Sequence, residues 1–432
     1  MVGNSKHLLA FLSSIGIQGL GAILRLVITS VALNLLDLSG LGSFSLYAAI
    51  GTVVILIARS GIPTFLAREL SRQQVFEEGS RCRSLIAFAF GIFLIKLVLT
   101  LAAVAAVSAV FDASSIALPL FIIAFSGAAG EALVRISMSI LSAAGHQKTG
   151  LLLFHIAMPI FFLSLVGFFF LTGAIMSVWH FLVFNLCASL LSAALGLYLV
   201  FALFFRNLNA SHLFGPLPSY WGLFPFVIND IAIEGRANLP SLLLGALLSS
   251  EAVGYFRIAQ SINGLIALLQ VGIHQILLTE AARLWYRVEK DALSHLMTYA
   301  ARVYFLSGAA ILVIFVATGK YFMLIVFGSY FEKAHLFTLI LLTGTVFVSS
   351  AGFPGILLSM TGFASRSATI AIFTAILQLL LMPALIGALG LNGAAWSMVL
   401  VNVVGAVSLA IVARQSNGID STILGSTRRE IT

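Results

Sequence analysis

Charged residues are scarce in this sequence, and that scarcity decides the class of the protein. Asp, Glu, Lys and Arg make up 9% of the 432 residues, whereas soluble domains contain about 25%. Apolar residues reach 60%, with a mean hydropathy of +1.11. Soluble cores cannot bury so much apolar surface, so we predict a polytopic membrane protein. The apolar runs are continuous rather than alternating, which excludes a transmembrane barrel.

Cysteines and long polar loops are also scarce. Cys82 and Cys187 have no metal-ligand spacing, so neither a disulfide framework nor a metal site is predicted. The longest connections cover 67–83, 206–219, 281–295 and 319–334, and each is too short to fold as a catalytic domain. We therefore expect no catalytic residues and no enzymatic activity.

Twelve apolar stretches each reach the roughly 20 residues that a spanning helix needs. They cover approximately 10–36, 43–66, 84–111, 116–141, 150–172, 178–205, 220–248, 252–280, 296–318, 335–361, 368–389 and 393–413. The sequence therefore predicts an all-α polytopic fold with twelve transmembrane helices.

The loops between these stretches alternate in charge. One set holds fourteen cationic residues, and the other holds only Lys320 and Lys333. Because cationic loops stay in the cytoplasm, both termini are predicted to be cytoplasmic. The net charge of +8 then encodes orientation, so nucleic-acid binding is not predicted. The polar segment from Gln415 onward is expected to be mobile.

The second half of the chain echoes the first. At an offset of 217 residues, Leu141-Ser142-x-x-Gly145 matches Leu358-Ser359-x-x-Gly362, and Gly173 matches Gly390. Each repeat holds six spans, so both have the same orientation. This predicts two six-helix lobes related by a pseudo-twofold axis along the membrane normal, with a central cavity between them.

The repeat also sets the expected domain boundaries. The N-terminal lobe covers 1–205, a cytoplasmic linker covers 206–219, the C-terminal lobe covers 220–413, and a cytoplasmic tail covers 414–432. Proteins built from such parallel repeats commonly bind substrate between their halves, which favours transport by alternating access.

Ten charged residues lie inside the predicted spans. Each would cost about 2.5–3.5 kcal/mol or more at the bilayer centre, so they must face protein or a wet cavity. Cations outnumber anions seven to three, which suits an anionic substrate such as a phosphate or diphosphate head group. The ten are Arg25, Arg59, Lys96, Glu131, Arg135, Asp230, Glu234, Arg236, Arg257 and Arg302.

Several of these charges also have structural interpretations. Arg59, Arg135 and Arg302 are close enough to the inner surface to snorkel. Glu131 and Arg135 are four residues apart, as in a helical ion pair. Arg25 and Arg236 lie too deep to snorkel, which favours function. His155 and His274 stand alone, which favours packed or hydrogen-bonded roles over ligation.

The seventh span is the least lipid-like, because Asp230, Glu234 and Asn238 share one helix face. Asp230 and Glu234 are candidates for proton-coupling carboxylates or for a structural network, as is Glu131. Two further segments, Gly61-Ile62-Pro63 and Gly352-Phe353-Pro354, are predicted kinks.

The order and spacing of several motifs resemble bacterial polysaccharide flippases of the multidrug/oligosaccharidyl-lipid/polysaccharide exporter superfamily. The motifs are Gly19-x-Gly21-x-x-x-Arg25, Leu41-Gly42-Ser43-Phe44, Ser60-Gly61-Ile62-Pro63, Leu141-Ser142-Ala143-Ala144-Gly145, Ala252-Val253-Gly254-Tyr255, Val326-Phe327-Gly328 and Gly390-Leu391-Asn392-Gly393.

The resemblance implies a flippase that moves undecaprenyl-diphosphate-linked oligosaccharide to the outer leaflet for surface polysaccharide biosynthesis. It implies membrane lipids and a polysaccharide polymerase as partners, no cofactor, and coupling to protons or to the membrane potential. Cations lining the cavity of similar proteins recognise the diphosphate or acidic sugars. That role is carried over to Arg25, Arg59, Lys96, Arg236 and Arg257.

A drug or cation antiporter of the same superfamily is the main alternative. Such a protein would need carboxylates in its cavity, whereas cations predominate here. A sugar polymerase or ligase would need a large outer loop with polar catalytic residues, and a passive structural protein would not need charges at mid-depth.

Overall fold

The computed structural model describes residues 2–75, 79–110, 117–173, 175–205 and 223–425, which form helices and include no β-strand. The first helices are α1 (Val2–Arg59), α2 (Ile62–Val75), α3 (Gly79–Val110), α4 (Ala117–Ala143), α5 (Gln147–Leu152), a π-helix (Leu153–Ala157), α6 (Met158–Leu171) and α7 (Val178–Phe204). The later ones are α8 (Phe224–Leu247), α9 (Ser250–Tyr286), α10 (Lys290–Phe327), a 3₁₀ turn (Gly328–Tyr330), α11 (Phe331–Ser350), α12 (Pro354–Met360), α13 (Ala364–Leu389) and α14 (Leu391–Asn417).

The predicted all-α polytopic class is confirmed. In the described part of the chain, nine helices are long and apolar enough to cross a membrane. One of them, α1, contains the first two predicted spans, which meet at a kink where Asp37 has a φ of 63°. The seventh and eighth predicted spans are α8 and α9, which brings the number of spanning segments to twelve.

The kink in α1 is stabilised by the side chain of Asp37. Its Oδ1 accepts hydrogen bonds from the Gly40 amide at 2.8 Å and from the Ser39 hydroxyl at 2.9 Å. A carboxylate in this position caps the amide groups that a new helix leaves unpaired. The segment after Asp37 therefore begins as a separate helix.

The internal repeat is visible in the backbone. Gly145 and Gly362 have φ angles of +83° and +89°, and Gly173 and Gly390 have +71° and +57°. The residue after each motif glycine makes the same backbone hydrogen bond in both halves. The amide of His146 donates to the carbonyl of Leu141, and the amide of Phe363 donates to the carbonyl of Leu358, each at 2.8 Å. Matching left-handed glycines after matching helices indicate that both halves end their fourth spans alike.

The chain forms two compact units, one of residues 16–242 and one of residues 1–15 with 243–432. Most of α8 therefore belongs to the same unit as α1 to α7. The lobe, linker and tail boundaries expected from the sequence remain predictions, and the linker 206–219 lies outside the described residues.

The first predicted kink is a complete break at Ser60 and Gly61, between α1 and α2. Gly61 has a φ of +79°, which L side chains rarely adopt. The hydrophobic core of this unit surrounds the break and includes the buried residues Ile55, Ile62, Leu66, Phe93 and Ile136. Gly61 also lies against α8, because a Cβ there would be 2.8 Å from Val227 Cγ2.

The second predicted kink separates α11 from α12 at residues 351–353, where Gly352 has a φ of +71°. The segment after α14 packs on this break. The Ile423 amide donates to Ser350 O at 3.0 Å, and the Ser421 hydroxyl donates to Ala351 O at 3.3 Å. Ser421 is 1% exposed and Ile419 is 3% exposed.

These contacts correct two expectations. The segment after Gln415 is not mobile as far as residue 425, because its polar backbone is paired with the helix break. Arg302 does not merely snorkel, because its guanidinium donates to Ile423 O at 3.1 Å and Gly425 O at 3.4 Å. The same contacts explain both results, because Arg302 supplies donors that the tail carbonyls require.

Gly61→Ala is expected to lower the melting temperature of the purified protein more than Gly145→Ala does. Both substitutions place a Cβ on a left-handed residue, which costs about 1–2 kcal/mol. Only the alanine at 61 also meets α8, since no atom lies within 4 Å of a Cβ at 145. Overpacking adds about 1–3 kcal/mol. Equal shifts of the two melting temperatures would contradict the close contact between Gly61 and α8.

Candidate substrate-binding site

Two carboxylates of α8 bind the C-terminal end of α1 and the break that follows it. Asp230 accepts hydrogen bonds from the Gly61 amide at 2.9 Å and from the Thr64 hydroxyl at 3.4 Å. One turn later, Glu234 forms an ion pair with Arg59, whose side chain is 5% exposed. The predicted shared face of Asp230 and Glu234 is thus the face that contacts α1.

Lys96 on α3 pairs with a backbone carbonyl that the same break leaves free. Its Nζ donates to Ser60 O at 3.2 Å, next to the Gly61 amide that Asp230 binds. A break within a membrane helix frees amide and carbonyl groups that lipid cannot pair. Asp230 and Lys96 supply the missing acceptor and donor, so both charges have a structural role here.

Arg135 on α4 links the remaining carboxylates. Its guanidinium lies 2.9 Å from Glu131 Oε1, which is the ion pair predicted from their spacing, and 3.9 Å from Glu234 Oε1. It also lies over the ring of Phe154, with Cζ 4.5 Å from the centroid. The predicted residues Arg59, Glu131 and Glu234 therefore belong to one connected network.

Arg25 on α1 contacts the ring of His155. Its Nη1 and Nη2 atoms lie 3.3 Å and 3.4 Å from His155 Nδ1. Arginine can only donate, so this nitrogen of His155 accepts and carries no proton. His155 lies in the π-helix, a feature that often marks functional sites.

Gly21 explains how α1 comes so close to the π-helix. A Cβ at Gly21 would lie 2.7 Å from both Cβ and O of His155. Gly21 is one helical turn before Arg25, so the close approach at the glycine brings the arginine to the same neighbour.

Arg236 differs from the other charges of α8. It is half-buried and makes no hydrogen bond or ion pair with any residue in the described part of the chain. Arg257 lies in the other unit, where Nη1 donates to Gln260 Oε1 at 3.3 Å. Whether Arg257 binds the same ligand as the other cations remains a prediction.

The unit of residues 16–242 carries a net positive charge among its predicted intramembrane residues. Five cations, Arg25, Arg59, Lys96, Arg135 and Arg236, face three carboxylates, Glu131, Asp230 and Glu234, which leaves two positive charges. The carboxylates contact Arg59, Arg135 and the Gly61 amide, as described above. Arg25 and Arg236 are the two of these cations that the sequence predicts to lie too deep to snorkel.

Sequence reasoning missed the partners of these cations. The interpretation of His155 as a packed or hydrogen-bonded residue did not identify Arg25, and Phe154 was not singled out. Gly21-x-x-x-Arg25 was the one signal of a close approach beside Arg25. The side chain of His274 lies outside the described residues, so its predicted role is open.

These helices define a multi-pass membrane protein. The chain belongs to the polysaccharide biosynthesis protein family, which matches residues 10–278. This agrees with the flippase and exporter superfamily that the motifs resemble. No curated protein matches the chain.

Solved structures support the fold. An inward-facing multidrug resistance MATE family transporter of the MOP superfamily aligns over 94% of this chain and 98% of its own, at 16% identity and a TM-score of 0.71. A MOP superfamily transporter from Pyrococcus furiosus, described as having a binding pocket of reverse polarity, aligns over 95% of both chains, at 15% identity and a TM-score of 0.64. A MATE protein in a straight conformation aligns over 94% of both chains, at 14% identity and a TM-score of 0.62.

Glu234→Gln is expected to destabilise the protein by about 3–5 kcal/mol, because it leaves the buried Arg59 guanidinium without its counter-charge. Glu131→Gln is the matched control, and we expect a smaller loss because Arg135 is 30% exposed and keeps Glu234 nearby. Thermal unfolding in detergent measures both variants.

Arg59→Met combined with Glu234→Met should recover most of the stability that Glu234→Gln loses, since replacing both ions of a buried pair by apolar groups is often neutral. A double variant as unstable as Glu234→Gln would show that the ion pair is not what Glu234 contributes.

Proposed function

We propose that this protein is a flippase that moves undecaprenyl-diphosphate-linked oligosaccharide from the cytoplasmic to the outer leaflet of the bacterial inner membrane. The observation that carries the proposal is that five cations and only three carboxylates occupy the predicted intramembrane positions of residues 16–242, a net charge of +2. An intramembrane cation without a carboxylate partner is costly unless an anion or water accompanies it. A diphosphate head group provides such an anion.

Membership of the polysaccharide biosynthesis family supports a saccharide-linked substrate. Diphosphate and sugar cannot cross hydrocarbon unaided, because burial of unpaired ions and hydroxyl groups costs many kcal/mol. Guanidinium groups replace water around phosphate oxygens and bind them in a bidentate geometry. The polyprenyl chain can remain in lipid while the head group passes through the protein.

In this account the network around Gly61 is structural, and Arg25 and Arg236 bind the head group. Arg59 and Lys96 fix the break between α1 and α2, and so they shape the site without being its main ligands. The carboxylates Glu131, Asp230 and Glu234 are partners of these cations. Both termini face the cytoplasm, and a polysaccharide polymerase uses the product on the outer side.

A drug or cation antiporter is the second candidate, and one observation favours it. Asp230 and Glu234 lie on a membrane helix beside a helix break, where protonation would release the Gly61 amide or Arg59. Antiporters couple transport to such carboxylates. The solved structures with multidrug transporter names show the fold and do not decide between the two substrates.

We expect the reconstituted protein to exchange a labelled polyprenyl-diphosphate oligosaccharide between leaflets. Exposure of the label to a quencher outside the liposomes measures the rate. Arg25→Gln with Arg236→Gln should slow exchange by at least tenfold, since both head-group ligands are lost. The matched control is Lys148→Gln, which removes an exposed cation near the end of a span and should leave the rate unchanged.

Absence of exchange in wild type, together with proton-driven transport of a cationic drug, would establish the antiporter instead. The same liposomes test coupling, because export of one negative charge from a negative interior gains about 2.3 kcal/mol per 100 mV. An imposed potential of that sign should speed the exchange, and an unchanged rate would remove the potential as a driving force.

A further inference from the structure

We propose that Arg25 and His155 form a proton-linked anion site, in which His155 gains a proton when an anionic diphosphate head group binds Arg25. The inference rests on the proposed function and couples head-group binding to the uptake of a proton. His155 is a positioning residue before binding and a second donor to the head group afterwards.

Without a ligand, the ring of His155 accepts hydrogen bonds from Arg25. Both Arg25 nitrogens point at His155 Nδ1, at 3.3 Å and 3.4 Å, so this atom is occupied as an acceptor. The contact holds the long arginine side chain in one place. The conformational entropy of that side chain is therefore already lost before the ligand binds.

Two guanidinium groups lie near the ring of His155. Arg25 approaches from α1, and Arg135 approaches from α4, where it lies over the ring of the neighbouring Phe154. The other titratable residues on packed elements are Glu131 of α4, which pairs with Arg135, Lys148 of α5, and His180, Cys187 and Tyr198 of α7. Helix α1 also carries Asp37, Tyr47 and Arg59, whereas the sequence of α6 has no titratable residue. His180 hydrogen-bonds Ser177 at the start of α7.

An anion bound at Arg25 would change the charge that His155 can carry. Two guanidinium groups repel a third positive charge at His155, so the neutral ring fits the unliganded site. A phosphate oxygen that takes the hydrogen bonds of Arg25 frees Nδ1, which can then bind a proton released by the buffered solution. The protonated ring donates to the same anion in a charge-assisted hydrogen bond.

Thermodynamic linkage then makes the coupling reciprocal. If head-group binding favours protonation of His155, a lower pH must strengthen head-group binding by the same factor. One linked proton changes the affinity by at most about tenfold per pH unit. The π-helix contributes because its backbone presents Phe154 to Arg135 and His155 to Arg25 from adjacent positions.

The test measures binding of farnesyl diphosphate to the full-length protein in nanodiscs by calorimetry, between about pH 5.5 and pH 8.5. Repeating one pH in buffers with different ionisation enthalpies counts the protons taken up. The variants are His155→Asn and His155→Gln, which can still accept from Arg25 but cannot become cationic. His180→Asn is the matched control, and Arg25→Gln removes the anion ligand.

We expect wild type and His180→Asn to bind more tightly as the pH falls, with a slope steeper than that of the two His155 variants and up to one additional proton taken up. The pH slope that remains in the two His155 variants measures the titration of the diphosphate itself, because these variants lack the ionisable ring. Equal slopes and equal proton counts in wild type and both His155 variants would overturn the inference while leaving the flippase intact. Failure of wild type to bind at any pH would overturn the proposed function and the inference together.

Discussion

The pairing of α8 with the end of α1 is the interaction on which the rest of the site depends. The chain breaks its second span at Ser60 and Gly61, and lipid offers no partner for the groups this frees. Asp230 binds the amide of Gly61, Lys96 binds the carbonyl of Ser60, and Glu234 fixes Arg59 beside them. The break is stable only because α3 and α8 bring charges to it.

This requirement divides the intramembrane charges into two groups. Carboxylates account for Arg59 and Arg135, and the helix break accounts for Lys96 and Asp230. Arg25 contacts a neutral histidine, and Arg236 forms no ion pair with any residue in the described part of the chain. A transporter of anionic head groups needs more cations than carboxylates in its membrane-spanning part, since cations fully neutralised by the protein would have little affinity for a ligand.

The sequence predicted the features that depend on local pattern. Twelve apolar runs gave the spans, the glycine offsets gave the repeat, and the spacing of Glu131 and Arg135 gave their ion pair. The common face of Asp230 and Glu234 also followed from helical periodicity. Each of these depends on residues close together in the chain or on a repeated local motif.

Partners far apart in sequence could not be predicted in the same way. Arg59 and Glu234 are 175 residues apart, and Arg25 and His155 are 130 apart. Composition shows that a buried cation needs a partner but not which residue provides it. The docking of residues 418–425 was missed for the same reason, because a polar segment looks mobile until a donor such as Arg302 is known to meet it.

A structure of the protein with bound farnesyl diphosphate, determined by cryo-electron microscopy in nanodiscs, tests the central claim most directly. The account predicts phosphate oxygens within hydrogen-bond distance of Arg25 and Arg236, with the pair of Arg59 and Glu234 intact. A diphosphate held by Arg59 and Lys96 after those residues leave Glu234 and Ser60 would contradict it. Such a result would make the network around Gly61 the binding site rather than its support.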